Sequence, residues 1–448
     1  MTFETVLSSL GDGAWTVAFF LIAIMIIVFV HEFGHYIVGR WSGIHAEVFS
    51  LGFGKVIYSR TDRHGTRWQL AMVPLGGYVK FLGDANASSA NPDEETLSRL
   101  SDAERRHTLH GAPLWARAAT VLAGPMFNVL LTMTVFAAMI AIWGILDQGG
   151  KPVVDKLRAL PGQQQTLLMG DQILAIDGVE TADIAAFYKV VGELAVADSV
   201  EYSVLRDGAE VTLAGPYPLP AIAGSVMSKS AAMDAGILAG DVILAVDGTP
   251  VQSFAQIPPM VAASKGTAVS LSVWRSGETF ELTLTPRRRD LPTEDGGFET
   301  RWLIGLTSAL PVDLATHRPG VLETLSLSWT NTVRVADSSL NGMLAIVKGQ
   351  ISSCNISGAI TMAVVMGDAA KVGWESFLGM LAVLSLGIGL LNLMPVPVLD
   401  GGHLVFHAWE ALTGKPPSNK ALGRMTMVGL GLILALMVYA LRNDLVCV

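Results

Sequence analysis

The stretch AWTVAFFLIAIMIIVFVHEFGHYIV, residues 14–38, decides what kind of molecule this chain makes. Its first seventeen residues, Ala14 to Val30, carry no charge, and as a helix they span roughly 26 Å, close to a bilayer's hydrocarbon core. A cleaved leader would need a basic segment ahead of it, whereas residues 1–13 hold Glu4 and Asp12 and no Lys or Arg. The run is therefore expected to remain as a membrane helix. It leads directly into HEFGH at 31–35, which places two imidazoles and a carboxylate where lipid contact costs at least a few kcal/mol.

Working outward, the bulk composition agrees with a membrane protein. Charged residues are 15% of the 448, against roughly 25% in soluble domains. Apolar residues reach 51% before any glycine is counted, and mean hydropathy is +0.47. A net charge of -9 argues against a nucleic-acid partner, which calls for a basic footprint. Cys354 and Cys447 are too few for a disulfide framework and lack metal-ligand spacing, so both are read as incidental.

Three further apolar segments follow, over about 118–146, 377–394 and 425–441. The second contains Gly124-Pro125 and Asn128, which predict a kink and an inward polar contact. Residues 40–117 carry ten Lys and Arg, and Lys415, Lys420 and Arg424 lie between the third and fourth segments. The positive-inside rule then puts both connections in the cytoplasm and leaves both termini and the 147–375 region outside.

HEFGH is an H-E-x-x-H pattern. On a helix His31 and His35 project only about 40° apart, with Glu32 flanking them. A neutral imidazole pair suits zinc, and an unligated carboxylate beside it can take a proton from water. A catalytic zinc needs a third protein ligand and an open position. No later histidine has the spacing of soluble metzincins; His45 lacks the intervening glycine pattern. The best candidate is Asp400 in NLMPVPVLDGG, 392–402, where two prolines forbid a helix and Gly401 and Gly402 allow a sharp turn. An Asp at such a break, at membrane depth, is reasonable facing a cavity or a metal. His107 and His110 read as solvated; His403 and His407, helix-spaced just past Asp400, read as interfacial or as groups that back the ligands.

The outward region repeats itself. MGDQILAIDGVE at 169–180 returns as AGDVILAVDGTP at 239–250, and SVLRDG at 203–208 as SVWRSG at 272–277. Each unit reads as a buried strand ending in an Asp-Gly turn, then a helix and a hairpin. AAMDAGILAGDVILAVDG in the second copy resembles the PDZ fold, whose members bind extended peptides at a sheet edge. The first copy lacks the Ala-Gly step before its Gly-Asp. Residues 287–297 read as a linker. Leu322, Leu325, Trp329, Val333, Leu340, Met343 and Val347 then follow helical spacing, an amphipathic stripe for the membrane, the repeats or a core.

HExxH in the first apolar segment, NxxPxPxLDGG in a later one and inserted PDZ-like repeats together resemble the bacterial site-2 protease family, specifically its RseP-type members. SLGFGK at 50–55, VPLGGYVKFLG at 73–83 and AGPMFN at 123–128 extend the likeness over nearly the whole chain. The resemblance implies an intramembrane zinc metalloprotease, with Zn2+ on His31, His35 and Asp400, Glu32 as general base, and Asn392 supporting substrate or oxyanion. It further implies membrane-protein substrates, namely an anti-sigma factor shortened by an upstream trimming protease and remnant signal peptides, and residence in the bacterial inner membrane with PDZ units and both termini periplasmic.

The expected architecture is a polytopic α-helical membrane protein with four transmembrane helices, a cytoplasm-side β-sheet region and two inserted periplasmic α+β PDZ domains. Its parts are the HExxH helix (1–40), a cytoplasm-side loop with strands (41–117), the second helix (118–146) and PDZ units at 147–220 and 221–288. A linker with amphipathic helix (289–374), the third segment with LDG (375–402), a cytoplasmic connection (403–424) and the fourth helix (425–448) complete it. Within 48–83, KVIYSR and TRWQLAMV alternate like strands, and Gly76, Gly77, Tyr78 and Val79 are candidates for pairing with an extended substrate. Two other classes fit less well. A zinc transporter gains nothing from Glu32 between its ligands, and a non-catalytic PDZ scaffold has no reason to keep the metal set.

Overall fold

The computed structural model describes residues 3–84, 93–147, 149–162, 166–293 and 298–447. The chain divides into two compact units, one of Met1–Met139, Val321–Val347 and Ser353–Val448, the other of Ile140–Gly320 with Lys348–Ser352.

The first unit opens with α1 (Phe3–Trp41), an unbroken helix that carries HEFGH in its last third. β1 (Ala46–Thr61) and β2 (Arg67–Phe81) follow and fold back on each other as a ribbon. Residues 48–51 pair with 67–70 on one side and with 77–80 on the other, while 58–61 pair again with 67–70. Residues 77–81 therefore stand at an edge, and no other strand among the described residues pairs with them. Tyr36, Ile44, Phe49, Val79, Phe81 and Ala116 form the core that fixes the ribbon to the helices. Two short helices, α2 (Glu94–Arg99) and α3 (Asp102–Arg105), are capped by Asp93 and Ser101. The second long apolar helix, α4 (Leu114–Trp143), contains Pro125.

The second unit starts with β3 (Ile145–Leu146) and β4 (Val154–Leu157). The first repeat is β5 (Gln172–Ile176), β6 (Val179–Glu180), α5 (Ile184–Glu193), β7 (Ser199–Arg206) and β8 (Ala209–Pro216), in sheet order β6-β5-β7-β8. After β9 (Ala223–Val226) and α6 (Ala231–Asp234), the same plan recurs in β10 (Val242–Val246), β11 (Thr249–Pro250), α7 (Ile257–Ala263), β12 (Val269–Arg275) and β13 (Glu278–Leu284), in order β11-β10-β12-β13. Asp177 and Asp247 take positive φ ahead of Gly178 and Gly248, the paired left-handed residues that a two-residue hairpin turn needs. Each repeat also buries one carboxylate on an arginine fork, Asp171 on Arg206 and Asp241 on Arg275. Burial pushes the Asp171 carboxyl up, but the Arg206 fork and the Leu168 amide outweigh it and hold it below the usual carboxylate range.

The expected linker is a pair of strands, β14 (Arg287–Pro292) and β15 (Phe298–Leu303); residues 294–297 of that expectation lie outside the described residues. From there the chain retraces its path. β16 (Leu306–Ser308) pairs with β9, β17 (Val312–Leu314) with β4, and β18 (Thr316–His317) with β3. The second repeat is thus nested inside the first rather than following it.

Returning to the first unit, α8 (Val321–Val347) buries Thr324, Ser328 and Thr332 and leaves Leu322, Leu325, Trp329, Val333, Leu340 and Val347 exposed. An apolar stripe turned outward suits an apolar surrounding. The segment expected to be linker also contains α9 (Ala359–Val372), which packs with α1, α4 and α10 (Trp374–Asn392) around Ala23, Ile27, Val135, Met366, Phe377 and Leu381. The third segment is not continuous to residue 402. α10 stops at Asn392, a new helix, α11 (Asp400–Thr413), starts at the LDG aspartate, and α12 (Asn419–Val446) ends the chain. Among the described residues, four helices are long and apolar enough to cross a bilayer, over Gly13–Trp41, Leu114–Trp143, Trp374–Asn392 and Lys420–Val446.

The cysteines are not incidental. Cys354 and Cys447 form a disulfide across 93 positions of sequence. Beside it the Asn443 amide donates to the carbonyls of Ser353 and Ile356, and Asp444 accepts from the amides of Gly358, Ile360 and Thr361 at the start of α9. The far end of α12 is thereby fastened to the turn before α9, with Asp444 supplying from another helix the acceptor that the Gly358 N-cap lacks.

Candidate metal centre

Because α1 runs unbroken through HEFGH, His31 and His35 fall on one face, and their Nε2 atoms are 3.2 Å apart. Asp400 comes to them from the other end of the sequence. Pro395 and Pro397 keep 393–399 out of helix, so the Asp400 carboxylate heads the first turn of α11. Gly401 and Gly402 do not make a turn, as the sequence suggested; they permit close packing. A Cβ on Gly401 would lie 2.2 Å from the Leu393 carbonyl oxygen, and one on Gly402 2.3 Å from that of Val396.

Asp400 Oδ2 lies 3.1 Å from His31 Nε2, and Oδ1 lies 3.6 Å from His35 Nε2. Oδ2 has no hydrogen-bond partner despite being buried. Three ligand atoms about 2.0–2.1 Å from a tetrahedral cation are roughly 3.3 Å from one another. The observed separations match that edge, and a cation between them would satisfy the orphaned oxygen. Among the described residues this trio is the one group of side chains assembled to hold a metal.

The rings are oriented by α4. His35 Nδ1 donates to the Thr120 carbonyl oxygen at 2.8 Å, and the Asn128 side-chain amide lies 3.2 Å from His31 Nδ1. One and two turns along the same face sit Thr120, Gly124 and Asn128. A Cβ on Gly124 would lie 2.3 Å from His35 Nε2 and 2.8 Å from His31 Nε2, so this glycine keeps the space at the converging nitrogens open. Asn128 is the inward polar contact expected of the second segment.

Glu32 flanks the imidazoles, with the Val79 backbone N–H facing it from the edge of the ribbon. Gly77 allows the strand this close, since a Cβ there would meet Val28 at 2.9 Å and Glu32 at 3.1 Å. Gly77, Tyr78, Val79 and Asn392 line a cavity of about 470 Å³ together with the trio and Glu32. Gly76 does not line it; it packs under the Phe53 ring. His403 and His407 line the cavity, and so does His110, read from sequence as solvated, with its Nε2 3.3 Å from the Asp84 carboxylate. Arg117 and Glu410 close another side as a two-bonded pair at 2.6 and 3.0 Å. Sequence reasoning missed Gly124 and Arg117–Glu410. The glycine ahead of Pro125 in an apolar helix was the available signal for the first; nothing local marks the second.

A model of peptidase family M50 matches residues 19–436. The chain belongs to peptidase family M50. Among its relatives is a Rhizobium meliloti protein named as a candidate zinc metalloprotease, 35% identical over 97% of this chain and 98% of its own length. An Agrobacterium fabrum protein named likewise is 33% identical over 99% and 98%. The regulator of sigma E protease of Salmonella typhi is 32% identical over 96% of this chain and 98% of itself. The M50 match begins inside α1 and ends inside α12, so the metal trio, the ribbon and the repeats all fall within it.

Replacing Gly124 by Ala keeps α4 a good helix but puts a methyl group against both Nε2 atoms. Metal bound per purified chain, read by elemental analysis after dialysis, is expected to fall on the order of 10-fold or more, as when the surroundings of a metal ligand are disturbed. Full occupancy in Gly124→Ala would mean the imidazoles do not face this glycine.

Proposed function

We propose that this M50 member is an intramembrane zinc metalloprotease that hydrolyses peptide bonds in or beside the membrane spans of single-span proteins. One observation carries the reading: His31, His35 and Asp400 converge at metal-ligand spacing beside an unligated Glu32, between helices apolar enough to cross a bilayer. Zinc held by the trio would polarise the scissile carbonyl and supply water with a pKa near 7. Glu32, with the Val79 amide facing it, takes the proton from the attacking water and passes it to the leaving amine. Asn392, at the end of α10 and on the cavity wall, is placed to donate to the carbonyl oxygen as it gains charge.

A substrate helix hides its amides in its own hydrogen bonds and must be drawn out as a strand. The edge at 77–79 offers a template at the cavity, and we assign substrate pairing to Gly77, Tyr78 and Val79, with Gly76 in support from behind Phe53. The nested repeats read as two PDZ domains that screen substrates. Their relatives' sigma E naming suggests an anti-sigma factor already trimmed outside, with remnant signal peptides as a further class. The inner membrane is the proposed location, with termini and repeats on the periplasmic side. Ten Lys and Arg over 40–117 support that orientation, and so does the Cys354–Cys447 disulfide, a bond that persists in oxidising compartments.

The central test uses purified protein in lipid with a single-span reporter. Glu32→Gln should lower cleavage at least about 100-fold while bound zinc is unchanged, and a chelator should abolish activity that added zinc restores. A Glu32→Gln enzyme of wild-type rate would remove Glu32 as the base, and a wild type whose cleavage no chelator affects would end the zinc protease assignment. For the edge strand, Tyr78→Pro takes away a donor to the β1 ladder at Ser50 and so disorders the edge at the cavity; it should slow cleavage of a helix-stable reporter at least tenfold more than that of a helix-destabilised one, and equal losses would remove the pairing role. Removing residues 151–315, which spares β3, should permit cleavage of an untrimmed substrate, whereas unchanged selectivity would leave the repeats as spacers.

A further inference from the structure

The two imidazoles are held differently, and the difference leads to a role for Asn128. His35 Nδ1 faces a backbone carbonyl, which only accepts, so its proton sits on Nδ1 and Nε2 is left with a lone pair toward the site. His31 Nδ1 instead faces the side-chain amide of Asn128, whose two ends differ in chemistry but hardly in shape. With the NH2 end toward the ring, His31 would have to carry its proton on Nε2, the atom 3.1 Å from Asp400 and 3.2 Å from His35 Nε2. That tautomer cannot ligate through Nε2.

Turning the amide over resolves the conflict. Asn128 is fully buried, and its Oδ1 has no hydrogen-bond partner where it points away from the ring. Rotation by half a turn brings Oδ1 onto His31 Nδ1–H and gives up no bond at the far end. The residue itself cannot move away. Its carbonyl oxygen accepts from Ser385 and Thr132, and Thr132 also donates to the Ala382 carbonyl of α10. Gly389 of α10 lets the two helices close, since a Cβ there would lie 3.1 Å from Asn128 Cβ.

We propose that Asn128 is a positioning residue whose side-chain carbonyl accepts from His31 Nδ1–H and so fixes the tautomer and plane in which Nε2 meets the metal. This rests on the reading of His31, His35 and Asp400 as ligands. It differs from Glu32 and Asn392 in touching neither water nor substrate.

The test measures zinc retention by the full chain in lipid against a competing chelator, for wild type, Asn128→Asp and Asn128→Leu. Asp keeps an acceptor at the same place and should hold zinc at least as tightly as wild type. Leu keeps the volume without the acceptor and should weaken retention about 10- to 100-fold, the usual effect of losing a ligand's outer partner. Retention by Leu equal to wild type, or equal losses in both variants, would overturn the proposal. A wild type that binds no zinc stoichiometrically would instead overturn the ligand reading beneath it. If the Leu variant fails to fold, 15N-histidine spectra of the metal-free wild type decide: His31 protonated on Nδ1 supports the proposal, and on Nε2 refutes it.

Discussion

Lipid cannot solvate an imidazole or a carboxylate, so every polar atom of a site built between membrane helices has to be answered by another part of the same chain. That constraint explains why α4 carries Thr120, Gly124 and Asn128 on one stripe. The backbone carbonyl of the first faces His35, the side chain of the third faces His31, and the absent side chain of the second leaves room where the nitrogens converge. α1 supplies the chemistry, but α4 supplies its orientation. The same logic holds at Asp400, whose Oδ2 is left unanswered by any hydrogen bond and would find its counterpart in a cation shared with the imidazoles.

Close approach of backbones is the second requirement, and glycines meet it at each junction. Gly34 and Gly39 let α1 lie against Ala123 and Thr120 of α4 and Phe81 of β2. Gly401 and Gly402 let α11 cross the carbonyls of 393–396, which is what brings the Asp400 carboxylate inward. These glycines have ordinary helical surroundings, so their use here is volume rather than turn-making. In a membrane interior, where tight van der Waals packing replaces hydrophobic exclusion as the cohesive force, such residues decide which helices can meet.

How much was legible in the sequence follows from this. The i, i+4 imidazoles and flanking Glu32 were readable because helical periodicity alone puts them together. Asp400 was readable because two prolines and an aspartate at the end of an apolar run have few tolerable places to be. The repeats announced themselves by seven identities at one offset, yet their nesting did not, since it depends on which strand β17 finds after a long detour. The Cys354–Cys447 bond, the Arg117–Glu410 pair and the approach of His110 to the cavity join residues far apart in sequence with no local pattern to mark them. The Arg287–Leu303 strands were hidden by their charges, which resemble a linker until the pairing Arg288↔Trp302 supplies each strand with a partner.

The edge of the ribbon binds these pieces into one device. In a strand, alternate residues direct their backbone groups to the same side, so Gly77 and Val79 address the cavity together. The Val79 N–H faces Glu32, and Gly77 lines the same cavity two residues along the strand. Under the proposed pairing, a peptide beside Gly77 would be held by the very strand that faces the base, about 3.3 Å per residue along it. Any register slip of the substrate would then be read directly as a change in distance between Glu32 and the scissile bond. On that proposal, specificity for an extended segment and alignment for proton transfer would become the same contact, and a helix that refuses to unwind would have no way to satisfy either.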